Sequence, residues 1–293
     1  MQGTGPPLVT PFDADGDLDE PALRELVEWV EARGVDFLVP CGSNSEAELM
    51  TAAERTRVVE VVAEAASVPV LAGTGSPGKR ETLAATADAA AAGADAALVV
   101  TPFYYDHDQA TLAAYYREVA DEAEIPVYLY SVPPYTGVRL EPETVGRLAD
   151  HPNVAGMKDS SGDVAAFQRI RERTADADFE LMVGAGGVLG QALAAGGSGG
   201  VLALANVAPE ATTAVYEAHE AGDDARAREL TAACVDLNHA VTAEYGIPGL
   251  KYAMRQRGAP AGHARSPHRP VDEEARTALD DLLDDFADLR EDL

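Results

Sequence analysis

Lysine is nearly absent from this chain: Lys79, Lys158 and Lys251 are the only three among 293 residues. Basic residues number 22 against 50 acidic ones, for a net charge of −28. That balance excludes nucleic-acid binding, which needs a basic patch, and argues against anionic membrane surfaces. Cysteine is equally scarce. Cys41 and Cys234 are too few for a disulfide framework, and neither belongs to a metal-spaced cluster. The six histidines form no His-x-x-x-His or similar signature, so no metal is expected. No apolar run reaches membrane-spanning length and no signal peptide is evident. The acidic residues are spread along the whole chain, which suits a protein kept soluble in molar salt, where repulsion is screened. The expectation is a soluble, cytoplasmic enzyme of a halophile.

What is present is a regular alternation. Short apolar runs recur every 20 to 35 residues: PLVTPF from Pro7, VDFLVPC from Val35, VPVLAGT from Val68, AALVVTP from Ala96, IPVYLY from Ile125, VAGMK from Val154, FELMVG from Phe179 and GVLALAN from Gly200. Each is short, rich in Val and Leu, and bounded by Gly, Pro or polar residues, as fully buried parallel strands are. Amphipathic segments of helical length lie between them, several ending in a glycine such as Gly34 or Gly93. Eight strands alternating with helices predict a (β/α)8 TIM barrel. The remaining residues predict helices near 209–220, 223–243, 246–257 and 272–290, so the expected organisation is a barrel over 1–208 and a C-terminal helical extension over 209–293. The GTGSPG stretch at 73–78 imitates a dinucleotide loop. It follows the third strand and carries a proline, so no nucleotide cofactor is inferred from it.

In such barrels the chemistry sits at the C-terminal ends of the strands. Those ends carry hydroxyls, tyrosines and glycines around Lys158, which closes an apolar strand pattern. Burial disfavours the charged form of an amine, and a neutral amine forms a Schiff base with a carbonyl substrate. Such a mechanism also needs a proton shuttle to dehydrate the carbinolamine, and donors for a keto-acid carboxylate. Tyr130, one strand earlier, is the candidate shuttle; Ser43 and Asn44 are the candidate donors. Lys79 lies in a polar turn and Lys251 in a helical pattern, and neither has this setting. Glu46 and Asp159 adjoin these motifs and are expected to orient loops or pair with arginine.

PLVTPF at 7–12, GSNSE at 42–46, TPFYY at 101–105, YSVPPYTG at 130–137, GMKD at 156–159 and VLALAN at 201–206, in this order, resemble the N-acetylneuraminate lyase and dihydrodipicolinate synthase family of class I pyruvate aldolases. The resemblance covers nearly the whole chain. It implies a barrel with a C-terminal helical part, a homotetramer, and a pyruvate-type keto acid bound as a Schiff base with no metal or organic cofactor. By position, Lys158 would be the Schiff-base lysine and Tyr130 the proton-transfer tyrosine. Ser43 and Asn44 stand where a hydroxyl pair usually binds the carboxylate, the second hydroxyl having become an amide that donates but does not relay a proton. Tyr104 matches a tyrosine that reaches a neighbouring subunit's site, or else it packs an interface. Leu202 matches an aliphatic residue lining the pyruvate pocket.

The informative departure is Tyr135, at a position that is typically arginine in dihydrodipicolinate synthases. Its loss would remove a bidentate cation from a carboxylate-bearing partner, unless Arg139 supplies that charge. His107 stands where some sugar-acid aldolases carry a basic residue for a phosphate; the alternative is a solvated loop histidine. The expected activity is therefore cleavage of a 2-keto-3-deoxy sugar acid, 2-keto-3-deoxygluconate or its 6-phosphate, to pyruvate and an aldehyde. The alternatives are dihydrodipicolinate synthase, a keto-deoxy-pentonate dehydratase, and a non-catalytic keto-acid-binding regulatory barrel.

Overall fold

The computed structural model describes residues 1–291. Seven strands form one parallel sheet: β1 (Gly3–Gly5), β2 (Leu71–Gly73), β3 (Ala96–Val100), β4 (Val127–Ser131), β5 (Val154–Asp159), β6 (Glu180–Val183) and β7 (Gly199–Val201). Their spatial order is β1-β7-β6-β5-β4-β3-β2. The opening between β1 and β2 is filled by extended residues 36–39. On one side Asp36 N donates to Thr4 O (2.8 Å) and Val39 N to Pro6 O (3.0 Å). On the other, Leu38 N donates to Pro69 O and Leu71 N to Leu38 O, both at 2.9 Å. This eighth segment closes the sheet on itself, giving the (β/α)8 barrel with additional C-terminal helices.

The first strand lies upstream of the PLVTPF run. Pro6, Pro7 and Pro11 lack the N–H that a ladder needs, so β1 ends at Gly5 and only Leu8 N, donating to Val39 O at 2.9 Å, continues the pairing with residues 36–39. A side chain serves the neighbouring backbone groups: the fully buried Asn206 accepts from Val9 N (3.1 Å) and donates to Pro7 O (3.0 Å).

Strand parity divides the apolar residues into two layers. Phe37, Val39, Leu98, Tyr128, Tyr130, Met182 and Val201 fill the barrel interior. Val127, Leu129, Met157, Leu181 and Leu202 face outward and pack against the helices. Helix starts are fixed by side-chain caps, with Asp19, Thr51, Asp108, Asp163 and Asp272 each accepting a backbone N–H of the first turn. Gly34 and Gly93 follow their helices at φ of +88° and +98°, the left-handed geometry that a residue with a Cβ resists.

The C-terminal part comprises helices Pro209–Glu220, Asp224–Ala233, Val235–His239, Gly246–Gln256 and Glu273–Arg290, with a π-helical turn at Ala240–Glu244. Arg257 pairs with Glu210 inside this part at 2.5 Å, and Arg265 ties it to the barrel by pairing with Glu54 at 2.5 Å.

Candidate active site

Lys158 is the penultimate residue of β5 and points into the barrel, with 3% of its surface exposed. Its cross-strand partner is Tyr130 on β4, and the Lys158 Nζ stands 4.3 Å from the centre of the Tyr130 ring. The Tyr130 hydroxyl lies 3.4 Å from the Ser43 hydroxyl, which comes from the turn after residues 36–39. Ser43, Asn44, Tyr130, Tyr135 and Lys158 all line one cavity of about 400 Å³ at the C-terminal end of the barrel. An amine, a phenol, a hydroxyl and an amide therefore meet around a space of small-molecule size.

Asp159 turns the other way. It is buried, accepts from Ser161 N (3.1 Å) and Ser161 Oγ (2.9 Å), and so shapes the turn that follows β5. Burial raises its pKa above the ordinary carboxylate value, against the opposing pull of these donors. Glu46 is engaged by Lys251 and by the backbone N–H of Arg265. Arg139 is paired with Asp163 at 3.0 Å and lines neither the main cavity nor an adjoining one of about 340 Å³. Along these two cavities the basic side chains are Lys158 and His268.

Three expected residues are not brought to the cavity within this chain. Leu202 is fully buried in the outer layer with Leu189 and Ala205, while its neighbours Val201 and Ala203 line the cavity. The aliphatic wall residue is thus one position away, because side chains alternate along a strand. Tyr104 is 87% exposed at φ +80°, edge-on to Tyr105, and lines neither cavity. His107 lies half-buried in the loop beyond it, also off both cavity walls.

The cavity also has walls that the sequence reading passed over. Ser160 and Gly184 stand beside Lys158, and Asn238 and Thr242 come from the C-terminal helices, Thr242 within the π-helical turn. Nothing local in the sequence marks Asn238 or Thr242. Among the described residues, no cluster of His, Cys, Asp and Glu is arranged to hold a metal ion, and no helix is long and apolar enough to cross a membrane.

Comparison with known proteins bears on the family and the fold. The family model described as the dihydrodipicolinate synthetase family matches residues 1–286. The chain is similar to a 4-hydroxy-tetrahydrodipicolinate synthase of Methanothrix thermoacetophila, 39% identical over all of this chain and 99% of the relative. It is similar also to an uncharacterized DapA-like lyase of the halophile Halobacterium salinarum, 40% identical over 97% of this chain and 94% of that one. Among solved structures, YagE, a prophage protein of the dihydrodipicolinic acid synthase family from E. coli K12 in complex with pyruvate, superposes with a TM-score of 0.92. The two are 32% identical, and the match covers 97% of this chain and 98% of that one. The chain belongs to the dihydrodipicolinate synthetase family of class I, pyruvate-dependent lyases.

Proposed function

We propose that Lys158 forms a Schiff base with pyruvate or a pyruvate-derived 2-keto acid, and that the enzyme makes or breaks a carbon–carbon bond at the resulting enamine. The observation that carries this reading is the Lys158–Tyr130–Ser43 arrangement on one cavity wall. The Lys158 amine attacks the C2 ketone. Tyr130, beside the Ser43 hydroxyl, hands on the proton that lets the carbinolamine lose water. Ser43 and Asn44 donate to the keto-acid carboxylate. The iminium then withdraws electrons, either to release a methyl proton and form the enamine, or to accept the electron pair of a breaking C3–C4 bond. Tyr104, projecting from the surface, serves a neighbouring subunit in a homotetramer.

For the second substrate we weigh two chemistries. The name of the Methanothrix relative supports condensation of pyruvate with aspartate semialdehyde, as in 4-hydroxy-tetrahydrodipicolinate synthases, and this is the leading reading. A specific observation favours the other. Tyr135 lies in the short helical turn Pro133–Thr136 after β4, Arg139 is committed to Asp163, and no guanidinium lines either cavity. A neutral polyhydroxylated aldehyde, as released from 2-keto-3-deoxygluconate, suits such walls better than a second carboxylate does.

The test uses purified protein in molar KCl. Borohydride with pyruvate should leave one reduced pyruvate on Lys158, and none on Lys158→Ala, which should keep the fold. Full activity in Lys158→Ala overturns the assignment. Condensation with aspartate semialdehyde is then measured beside pyruvate release from 2-keto-3-deoxygluconate and its 6-phosphate. The faster reaction identifies the partner.

A further inference from the structure

Lys251 is a fully enclosed ionisable side chain near the site, and the chemistry above makes no use of it. It projects from helix Gly246–Gln256 with no exposed surface. Its ammonium meets three oxygens: Glu46 Oε2 at 2.5 Å, Thr10 O at 2.7 Å and His263 O at 2.7 Å. Two donors go to the carbonyls of Thr10 and His263 and the charge is paired with Glu46, so Lys251 is held in place and is no second nucleophile. The other Glu46 oxygen accepts from Arg265 N at 2.7 Å. One buried pair thus ties together the exit from β1, the turn after residues 36–39 and the C-terminal loop. Burial pushes the Lys251 ammonium down to about 8, with Glu46 opposing that fall.

The segment held in this way carries Ser43 and Asn44. Cys41 and Glu46 bracket it at φ of +58° and +59°, a left-handed backbone that persists in residues with a Cβ only when the surroundings enforce it. Ser45 anchors the underside, accepting from Gly42 N and donating to Leu8 O. Glu46 anchors the far end. Ser43 and Asn44 face the cavity, with the Ser43 hydroxyl at that of Tyr130.

We propose that Lys251 is a positioning residue: through Glu46 it holds the 42–45 turn in the register at which Ser43 and Asn44 meet the keto-acid carboxylate. This rests on the Schiff-base reading of Lys158. The experiment is borohydride trapping on the full chain in molar KCl, as a function of pyruvate concentration, with thermal unfolding of the same samples. The variants are Lys251→Met, the Lys251→Met/Glu46→Gln double variant, and Glu46→Asp, which keeps both charges and shortens the reach by one methylene.

The half-saturating pyruvate concentration should rise about tenfold in each folded variant, the equivalent of one lost hydrogen bond to a charged group. Complete trapping at saturating pyruvate should remain. The double variant should be the more stable of the two lysine variants, because removing both members of a buried pair costs less than stranding one, yet its half-saturation should stay shifted. Variants that lose stability but keep the wild-type half-saturation overturn the inference and leave Lys158 untouched. Wild-type protein that traps no pyruvate overturns the Lys158 reading, and this inference with it.

Discussion

Gly184→Ala tests how tightly the site around Lys158 is built. Gly184 follows β6, and its N–H donates to Asp159 O at 2.7 Å. A Cβ placed there would lie 1.8 Å from Ser160 Oγ, 2.9 Å from Ser160 Cβ and 2.9 Å from Lys158 Cε. Rotating the Ser160 hydroxyl relieves the first contact but not the other two, so either strand end or the lysine stem must shift. Overpacking of this kind costs roughly 1–3 kcal/mol. For a chain of this size that is a fall in Tm of roughly 2 to 6 °C. The functional loss should be larger, since a displacement of about 1 Å in a reacting group costs roughly 10²-fold in rate, and here the clash is with the stem of the proposed nucleophile. The assay is the rate of borohydride trapping with pyruvate, beside thermal unfolding in molar KCl. The Gly184→Ala/Ser160→Ala double variant removes the shortest contact and should regain part of the Tm. Gly78→Ala, with nothing within 4 Å of its Cβ and a φ of −106°, serves as the neutral control, within about 0.5 kcal/mol of wild type. Wild-type Tm and trapping rate in Gly184→Ala would refute the steric argument.

Two further outcomes follow from particular contacts. Glu54 is held down to about 2, first by its hydrogen bond from Arg265, with Thr51 donating to the same carboxylate. The unfolded chain binds the extra proton between that value and the ordinary one of about 4.3. The stability that wild type holds over Glu54→Gln should therefore be full above about pH 5 and shrink as pH falls toward 2; an advantage independent of pH between 3 and 7 in urea unfolding would contradict it. Val201→Ala and Leu202→Ala should separate by parity. Leu202→Ala should cost about 2–5 kcal/mol of stability with pyruvate half-saturation unchanged, while Val201→Ala should shift half-saturation at a smaller stability cost; the reverse pattern would place Leu202 on the cavity.

The parts of this fold that were legible in the sequence are those encoded by local pattern. Fully buried parallel strands leave short apolar runs, and those runs located the strand ends that gather Ser43, Tyr130 and Lys158. The same property hid the parity of the last strand. When both faces are buried there is no alternation of polar and apolar residues to fix which side chains point inward, and GVLALAN fits either register. At the first strand the apolar run misled because prolines interrupt its donors: Leu8, Val9 and Phe12 are core residues, but of these only Leu8 still pairs with residues 36–39. Asn238 and Thr242 reach the cavity only through the packing of the C-terminal helices, which no local pattern announces.

Lysine scarcity carried more information than the composition first disclosed. The cations of this chain are nearly all arginine, whose head is planar, large and always charged. A lysine differs in two ways: it can lose its proton, and its compact head can aim three donors at three separate oxygens. Lys79 uses neither property and pairs at the surface with Glu118 and Glu122. The Schiff-base chemistry proposed for Lys158 calls on the first, since only a neutral amine attacks a ketone. Lys251 needs the second, because Glu46, Thr10 and His263 surround it in a space that solvent does not reach. Its helical setting gave no sign of this, and Glu46 lies far away along the chain. What distinguishes the two buried lysines is a property of amines, legible in sequence only for the one that a strand pattern encloses.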